Sequence, residues 1–108
     1  MDCLFCKIAG KEIKSEIVWE NNELMAFKDI QPLAPVHVLL IPKKHIQSLV
    51  DIKGSDQPLI GEIFSAVSIV AEKLGIKEQG FQILVRTGKS GGQEVPHLHV
   101  HILQGTRF

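Results

Sequence analysis

Residues 97–101 read His-Leu-His-Val-His, and no other stretch restricts the fold of this chain so tightly. Side chains on an extended strand alternate between faces, so His97, His99 and His101 share one side while Leu98, Val100 and Ile102 take the other. One face suits a core and the other suits chemistry. At a rise of about 3.3 Å per residue, neighbouring histidines stand roughly 6.5 Å apart and the outer pair roughly 13 Å apart. One metal ion, with bonds of about 2 Å to imidazole, cannot reach all three. A metal could take one of them or an adjacent pair, which leaves at least one imidazole free for catalysis.

The 108 residues fit a single domain, 1–108, large enough to bury a core. Twelve basic and twelve acidic side chains balance. No basic field points to nucleic acid, no apolar run approaches a membrane span, and the start Met-Asp-Cys-Leu-Phe-Cys is unlike a secretory leader. A cytoplasmic location is expected. In that compartment Cys3 and Cys6 are thiols or metal ligands rather than a structural disulfide.

Short apolar segments at 16–20 and 23–29, joined at Asn21-Asn22, predict a hairpin. Residues 35–41 read as a third strand ended by Pro42, 81–85 as a fourth and 97–103 as a fifth. Between the third and fourth, Ser55 or Asp56 can cap a helix over 57–74 that stops at Gly75. An α+β fold follows, an antiparallel sheet with helices on one face. The helix carries Leu59, Ile60, Ile63, Phe64, Val67, Ile69, Val70 and Leu74, more apolar surface than one buried stripe needs. Deep burial in a small core and a dimer interface both account for it.

The glycine-rich segment 87–96, Thr-Gly-Lys-Ser-Gly-Gly-Gln-Glu-Val-Pro, runs into the histidine strand. It is a flexible connection or a phosphate cradle in which backbone amides converge on an anion, with Gln93 and Glu94 as side-chain partners; the histidines favour the cradle. Phosphoryl or nucleotidyl transfer needs a nucleophile, charge stabilisation and an acid, and imidazole can serve as each. His99, with a histidine on either side, is the best-placed nucleophile. Cys3-x-x-Cys6 is either half a tetrahedral zinc site or two free thiols; His45 and His97 could complete the site. Asp29 reads as a turn residue ahead of Pro32 or as a carboxylate for a ribose diol.

Taken together these residues resemble the histidine triad (HIT) family. The resemblance rests on five ordered blocks: Cys-Leu-Phe-Cys-Lys-Ile at 3–8, Ala-Phe-Lys-Asp-Ile at 26–30, Ala-Pro-Val-His at 34–37, Ile-Pro-Lys-Lys-His at 41–45, and Gly-Gly-Gln-Glu-Val-Pro-His-Leu-His-Val-His at 91–101. It implies a HIT-like α+β fold, with about five antiparallel strands, one main helix and a short N-terminal helix. The chain looks most like the nucleoside phosphoramidate hydrolase branch, which implies a homodimer whose sheets join, and a purine nucleotide such as AMP or GMP as ligand. His99 matches the nucleophile that becomes transiently nucleotidylated; His101 and His37 match its supporting histidines, His97 the first of the triad, and Glu94 the position that helps protonate the leaving amine. Phe5, Ile8, Phe27 and Ile30 match the purine walls and Asp29 the ribose carboxylate. Arg86, Gly92, Gln93 and Val95 match positions around the phosphate. Cys3, Cys6, His45 and His97 match the ligands of one structural zinc ion per chain. The resemblance also leaves room for a dinucleoside polyphosphate hydrolase, and for a nucleotide-binding regulatory module whose hydrolysis is vestigial. A plain zinc-stabilised scaffold is a third alternative.

Three departures stand out. Arg86 occupies a position where relatives commonly carry Asn, and Glu94 one that is Ser in some. The chain stops at Phe108, so the longer tail that shapes substrate choice in some relatives is expected to be lacking.

Overall fold

A computed structural model describes residues 3–105; the chain end at Phe108, on which the tail expectation rests, lies outside the described residues. A short helix α1 (Leu4–Ala9) is followed by strands β1 (Ile17–Glu20), β2 (Leu24–Lys28) and β3 (Val36–Pro42), the long helix α2 (Gln57–Leu74), β4 (Gln82–Leu84) and β5 (Val100–Gln104). The strands form one antiparallel sheet in the order β1-β2-β3-β5-β4. The α+β architecture, its five strands and its two helices are those expected.

The first hairpin turns on Asn21, whose side-chain oxygen accepts the amides of Glu23 and Leu24. Such a local bond lets the chain reverse without a separate loop. Helix α2 ends at Gly75, which takes φ +73° so that its amide and that of Ile76 return to the carbonyls of Glu72 and Ala71. Its start differs from expectation. Asp56 occupies the N-cap position but makes no capping bond to α2; its carboxylate accepts the Lys44 ammonium at 2.5 Å and the Lys53 amide at 2.9 Å.

The two faces of the sheet are covered by different helices, which corrects the expectation of helices on one face. Leu24, Ala26, Val38, Leu40, Val100 and Ile102 pack against α2 through Ile63, Ala66, Val67, Val70 and Ala71. Met25, Phe27, Leu39 and Ile41 point the other way and pack against Phe5 and Ile8 of α1. Continuous apolar runs in β2 and β3 carry the reason, since a strand with water on one side would alternate with polar residues. Deep burial does not account for all of α2's apolar surface: Phe64 is 50% exposed and Ile69 44%.

His97 and His99 precede β5 rather than lying within it. Opposite them β3 ends at Pro42, which has no amide to donate, and the Leu98 amide bonds the Ile46 carbonyl at 2.7 Å instead. Alternation survives the break. Leu98 joins the α2 side, while the rings of His97 and His99 meet Phe5 on the other.

Candidate functional site

Two clusters of histidine sit side by side on the α1 face. In the first, Cys3 Sγ is 3.3 Å from His97 Nδ1, Cys6 Sγ is 3.3 Å from His45 Nδ1 and 3.5 Å from His97 Nδ1, and the two Nδ1 atoms are 3.3 Å apart. A tetrahedral ion with bonds of about 2.0 Å to nitrogen and 2.3 Å to sulfur needs edges of roughly 3.3–3.6 Å between those ligand types. The four donors therefore fit a metal ion, and zinc is compatible with them. The His97 Nε2–H donates to the Pro42 carbonyl at 2.8 Å, which leaves the Nδ1 lone pair facing the other three donors. Burial, with Cys3 beside it, pushes the Cys6 thiol up to about 11, and a bound cation would reverse that penalty.

The second cluster is a relay. The Leu33 amide donates to His37 Nδ1 at 3.0 Å, so the ring's proton is on Nε2, which lies 2.9 Å from His101 Nδ1 and 3.4 Å from Asp29 Oδ2. His101 Nδ1 thus accepts, and its proton sits on Nε2, a buried atom with no hydrogen-bond partner. Asp29, His37 and His101 also bring three ligand atoms within 4.8 Å of one another. They suit a metal poorly, because a neutral His37 ligating through Nε2 would need a proton on Nδ1, where the Leu33 N–H already points. His99 is oriented in the opposite sense. Its Nδ1–H donates to the His97 carbonyl at 2.6 Å, which leaves the Nε2 lone pair as the reactive end. Burial holds His37, His97 and His99 below the ordinary imidazole value; for His101 burial, reinforced by His99 and His37, brings it down to about 4. All four rings are neutral at neutral pH.

Beside the relay opens a cavity of about 300 Å³. Of the residues singled out from sequence, Phe5, Ile8, Phe27, Asp29, Ile30, Arg86, Gly92, Glu94, Val95, His99 and His101 all line it. His37 does not; it stands behind His101. The turn reading of Asp29 holds, since Oδ1 accepts the Gln31 amide, while Oδ2 is the oxygen near His37.

The glycine segment is corrected in one respect. Four of its amides are committed internally: Gly91 and Gln93 donate to the Gly88 carbonyl, Gly92 to the Lys89 carbonyl, and Gly88 to the Gln93 side chain. Gln93 lies outside the cavity lining, its amide group donating to the carbonyls of Gln47 and Val95. It braces the loop instead of meeting a ligand. A Cβ on Gly91 would sit 2.3 Å from the Thr87 carbonyl oxygen, so the tightness of this turn explains that glycine. Arg86 faces the cavity together with Lys14, Lys28, Asp29 and Glu94, and is half-buried and without a hydrogen-bond or ion-pair partner among the described residues.

Sequence reasoning missed several contributors. Leu39 lines the cavity on the same strand face as His37, and that alternation could have identified it. Ile13, Lys14 and Ser15 reach the cavity from the α1–β1 connection, where no periodicity signals them.

Comparison with known proteins places this arrangement among relatives. The HIT domain family model matches residues 10–108. The chain is 50% identical over 102 residues to protein HitA of Neisseria gonorrhoeae, covering 94% of each chain. It is 38% identical over 104 residues to the purine nucleoside phosphoramidase of Escherichia coli K12, covering 96% of this chain and 87% of that one. The crystal structure of a HIT family hydrolase from Legionella pneumophila superposes with a TM-score of 0.94 at 42% identity, covering 98% and 95% of the two chains. A histidine triad protein from Clostridium difficile gives 0.95 at 44% identity, covering 100% and 94%.

Proposed function

Because this chain belongs to the HIT domain family, we propose that it is a hydrolase that cleaves purine nucleoside 5′-phosphoramidates through a nucleotidyl intermediate on His99. The observation that carries this reading is the His99 Nδ1–H bond to the His97 carbonyl, which makes Nε2 the free nucleophilic nitrogen beside a nucleotide-sized cavity. The E. coli relative's activity supports the substrate class.

A purine packs among Phe5, Ile8, Phe27 and Ile30, with Val95 closing the wall, and its ribose meets Asp29. The α-phosphate is received by the guanidinium of Arg86 and the unpartnered Nε2–H of His101, next to Gly92. His99 Nε2 attacks phosphorus, the P–N bond to the leaving amine breaks, and that nitrogen takes a proton from the open side, where Glu94 stands. Water then attacks phosphorus, the bond to Nε2 breaks, and the nucleoside monophosphate leaves with the imidazole regenerated. His37 holds His101 in the donor form that this requires, and Gln93 keeps the loop in place. A zinc ion on Cys3, Cys6, His45 and His97 would supply a cross-link and no reacting position, since four protein donors complete its coordination.

The proposal includes a homodimer and a cytoplasmic site of action. Strand β4 is a sheet edge with Ile83 exposed, and Phe64 and Ile69 leave apolar surface on α2. No helix among the described residues is long and apolar enough to cross a membrane. Arg86, which has no hydrogen-bond or ion-pair partner among the described residues, specifically favours a second reading, a dinucleoside polyphosphate as substrate, because a further phosphate would give it a counterion.

One experiment tests these readings. His99→Ala should lower turnover of adenosine 5′-phosphoramidate by about 10⁴-fold or more, while AMP binding measured by calorimetry persists. Undiminished turnover would sink the assignment. Faster cleavage of diadenosine polyphosphate by the unmodified protein would establish the second reading, and light scattering that finds a single 12.0 kDa chain would overturn the dimer.

A further inference from the structure

Helix α1 has only six residues, far too few to hold a helix by itself, yet it supplies Leu4, Phe5 and Ile8 to the cavity wall. What fixes it in place therefore fixes the wall. Cys3 is its N-cap, with Sγ accepting the Cys6 amide at 3.3 Å, and Cys6 lies one turn on. Both are donors of the metal-compatible cluster. The ring of Phe5, between them in sequence, stands edge-on to His97 at 6.0 Å and to His99 at 5.0 Å. His97 belongs to both centres: its Nδ1 faces the cluster, and its carbonyl accepts the Nδ1–H of His99 at 2.6 Å.

We propose that Phe5 and His97 are positioning residues through which a soft divalent cation on Cys3, Cys6, His45 and His97 tightens nucleotide binding and keeps the His99 ring in its Nδ1–H form. This rests on the nucleotide reading given above. The cation draws Cys3 and Cys6 onto His97, which presses Phe5 against both imidazoles and sets the direction of the His97 carbonyl. With the cation gone, the helix loses its anchor, the wall loosens, and His99 can exchange one tautomer for the other. Coupling between two sites is reciprocal, so nucleotide must tighten metal by the factor by which metal tightens nucleotide.

The test uses the full chain, loaded with zinc and stripped by a chelator. AMP should bind the stripped protein about tenfold more weakly, and saturating AMP should raise zinc affinity, read by chelator competition, by the same factor. Nitrogen-15 shifts of the His99 ring should show the Nδ1–H form in the loaded protein and a tautomer mixture in the stripped one. Phe5→Leu keeps every metal ligand, so its zinc affinity without nucleotide should match the parent while the linkage to AMP falls toward none. Competition begins from the loaded protein, so it remains readable even if stripping melts the fold. Equal AMP affinity in the two forms overturns the proposal. Full linkage in Phe5→Leu also overturns it, because the coupling would then not run through Phe5. Failure to take up zinc overturns the metal centre, whereas absence of AMP binding in either form overturns the nucleotide reading.

Discussion

His97 and His99 are two residues apart and use the same ring in opposite senses. At His97 a carbonyl, that of Pro42, takes the Nε2–H and turns the Nδ1 lone pair toward two thiols and a second imidazole. At His99 a carbonyl, that of His97, takes the Nδ1–H and leaves Nε2 as the free base. His37 has a backbone amide where the others have a carbonyl, so its proton moves to the far nitrogen and is passed toward His101. An imidazole's task is thus chosen by what meets its other nitrogen. One centre gathers donors close enough to hold a cation, and the other sets a buried N–H and a free Nε2 beside a cavity.

Removing thiols strikes the first centre and should give the largest effect. Cys3→Ser with Cys6→Ser is expected to abolish zinc uptake and to lower stability by about 4 kcal/mol, in the range of a lost metal site. Elemental analysis and urea unfolding read both. Metal retained in the double variant would exclude these ligands and dissolve the contrast between the two centres.

The second centre is separable if the contrast is correct. His37→Ala leaves the Leu33 amide without its acceptor and frees His101 to take either tautomer, so turnover should fall on the order of 10²-fold. Zinc content should not change, since no donor of the first centre touches His37. Loss of zinc in this variant would show that the clusters act as one, and undiminished turnover would remove the relay from the mechanism.

Much of this organisation could be read from residue spacing, and the rest depended on partners that spacing cannot specify. The alternation at 97–101 placed the imidazoles on one side, and the continuous runs Leu-Met-Ala-Phe and Val-Leu-Leu-Ile foretell strands covered on both faces. The expectation of helices on one face overlooked what those runs require, and the six residues of α1 carry too little pattern to place it on the second face. The loop resisted prediction for a different reason. Gln93 resembled a ligand-facing residue, but its amide is satisfied by the Gln47 carbonyl, 46 positions away, and by Val95. Arg86 was marked as a departure, yet spacing could not tell that it lines the cavity without a hydrogen-bond or ion-pair partner among the described residues.

Acidity offers the finest probe of the contrast, and its effect is the smallest. Burial holds His101 at about 4 in the folded chain against an ordinary value of 6.5. Between those values the unfolded chain binds the proton and the folded one resists it, so the stability contributed by the neutral ring is complete above pH 6.5 and is lost as pH falls through about 4. The carboxylates of Glu20 and Asp56 are held low by lysine partners and lose their contribution only below 4.5 and 3.8 respectively, so the decline above pH 4.5 belongs to imidazole. In zinc-loaded protein His45 and His97 are engaged as ligands, and the remaining slope reports the relay and His99. His101→Gln should therefore flatten stability measured by urea unfolding between pH 6.5 and 5, while the midpoint of zinc release with acid stays where it was. An unaltered slope would mean that His101 is not kept neutral by its surroundings, and a shifted zinc midpoint would mean that the two histidine centres share their protons.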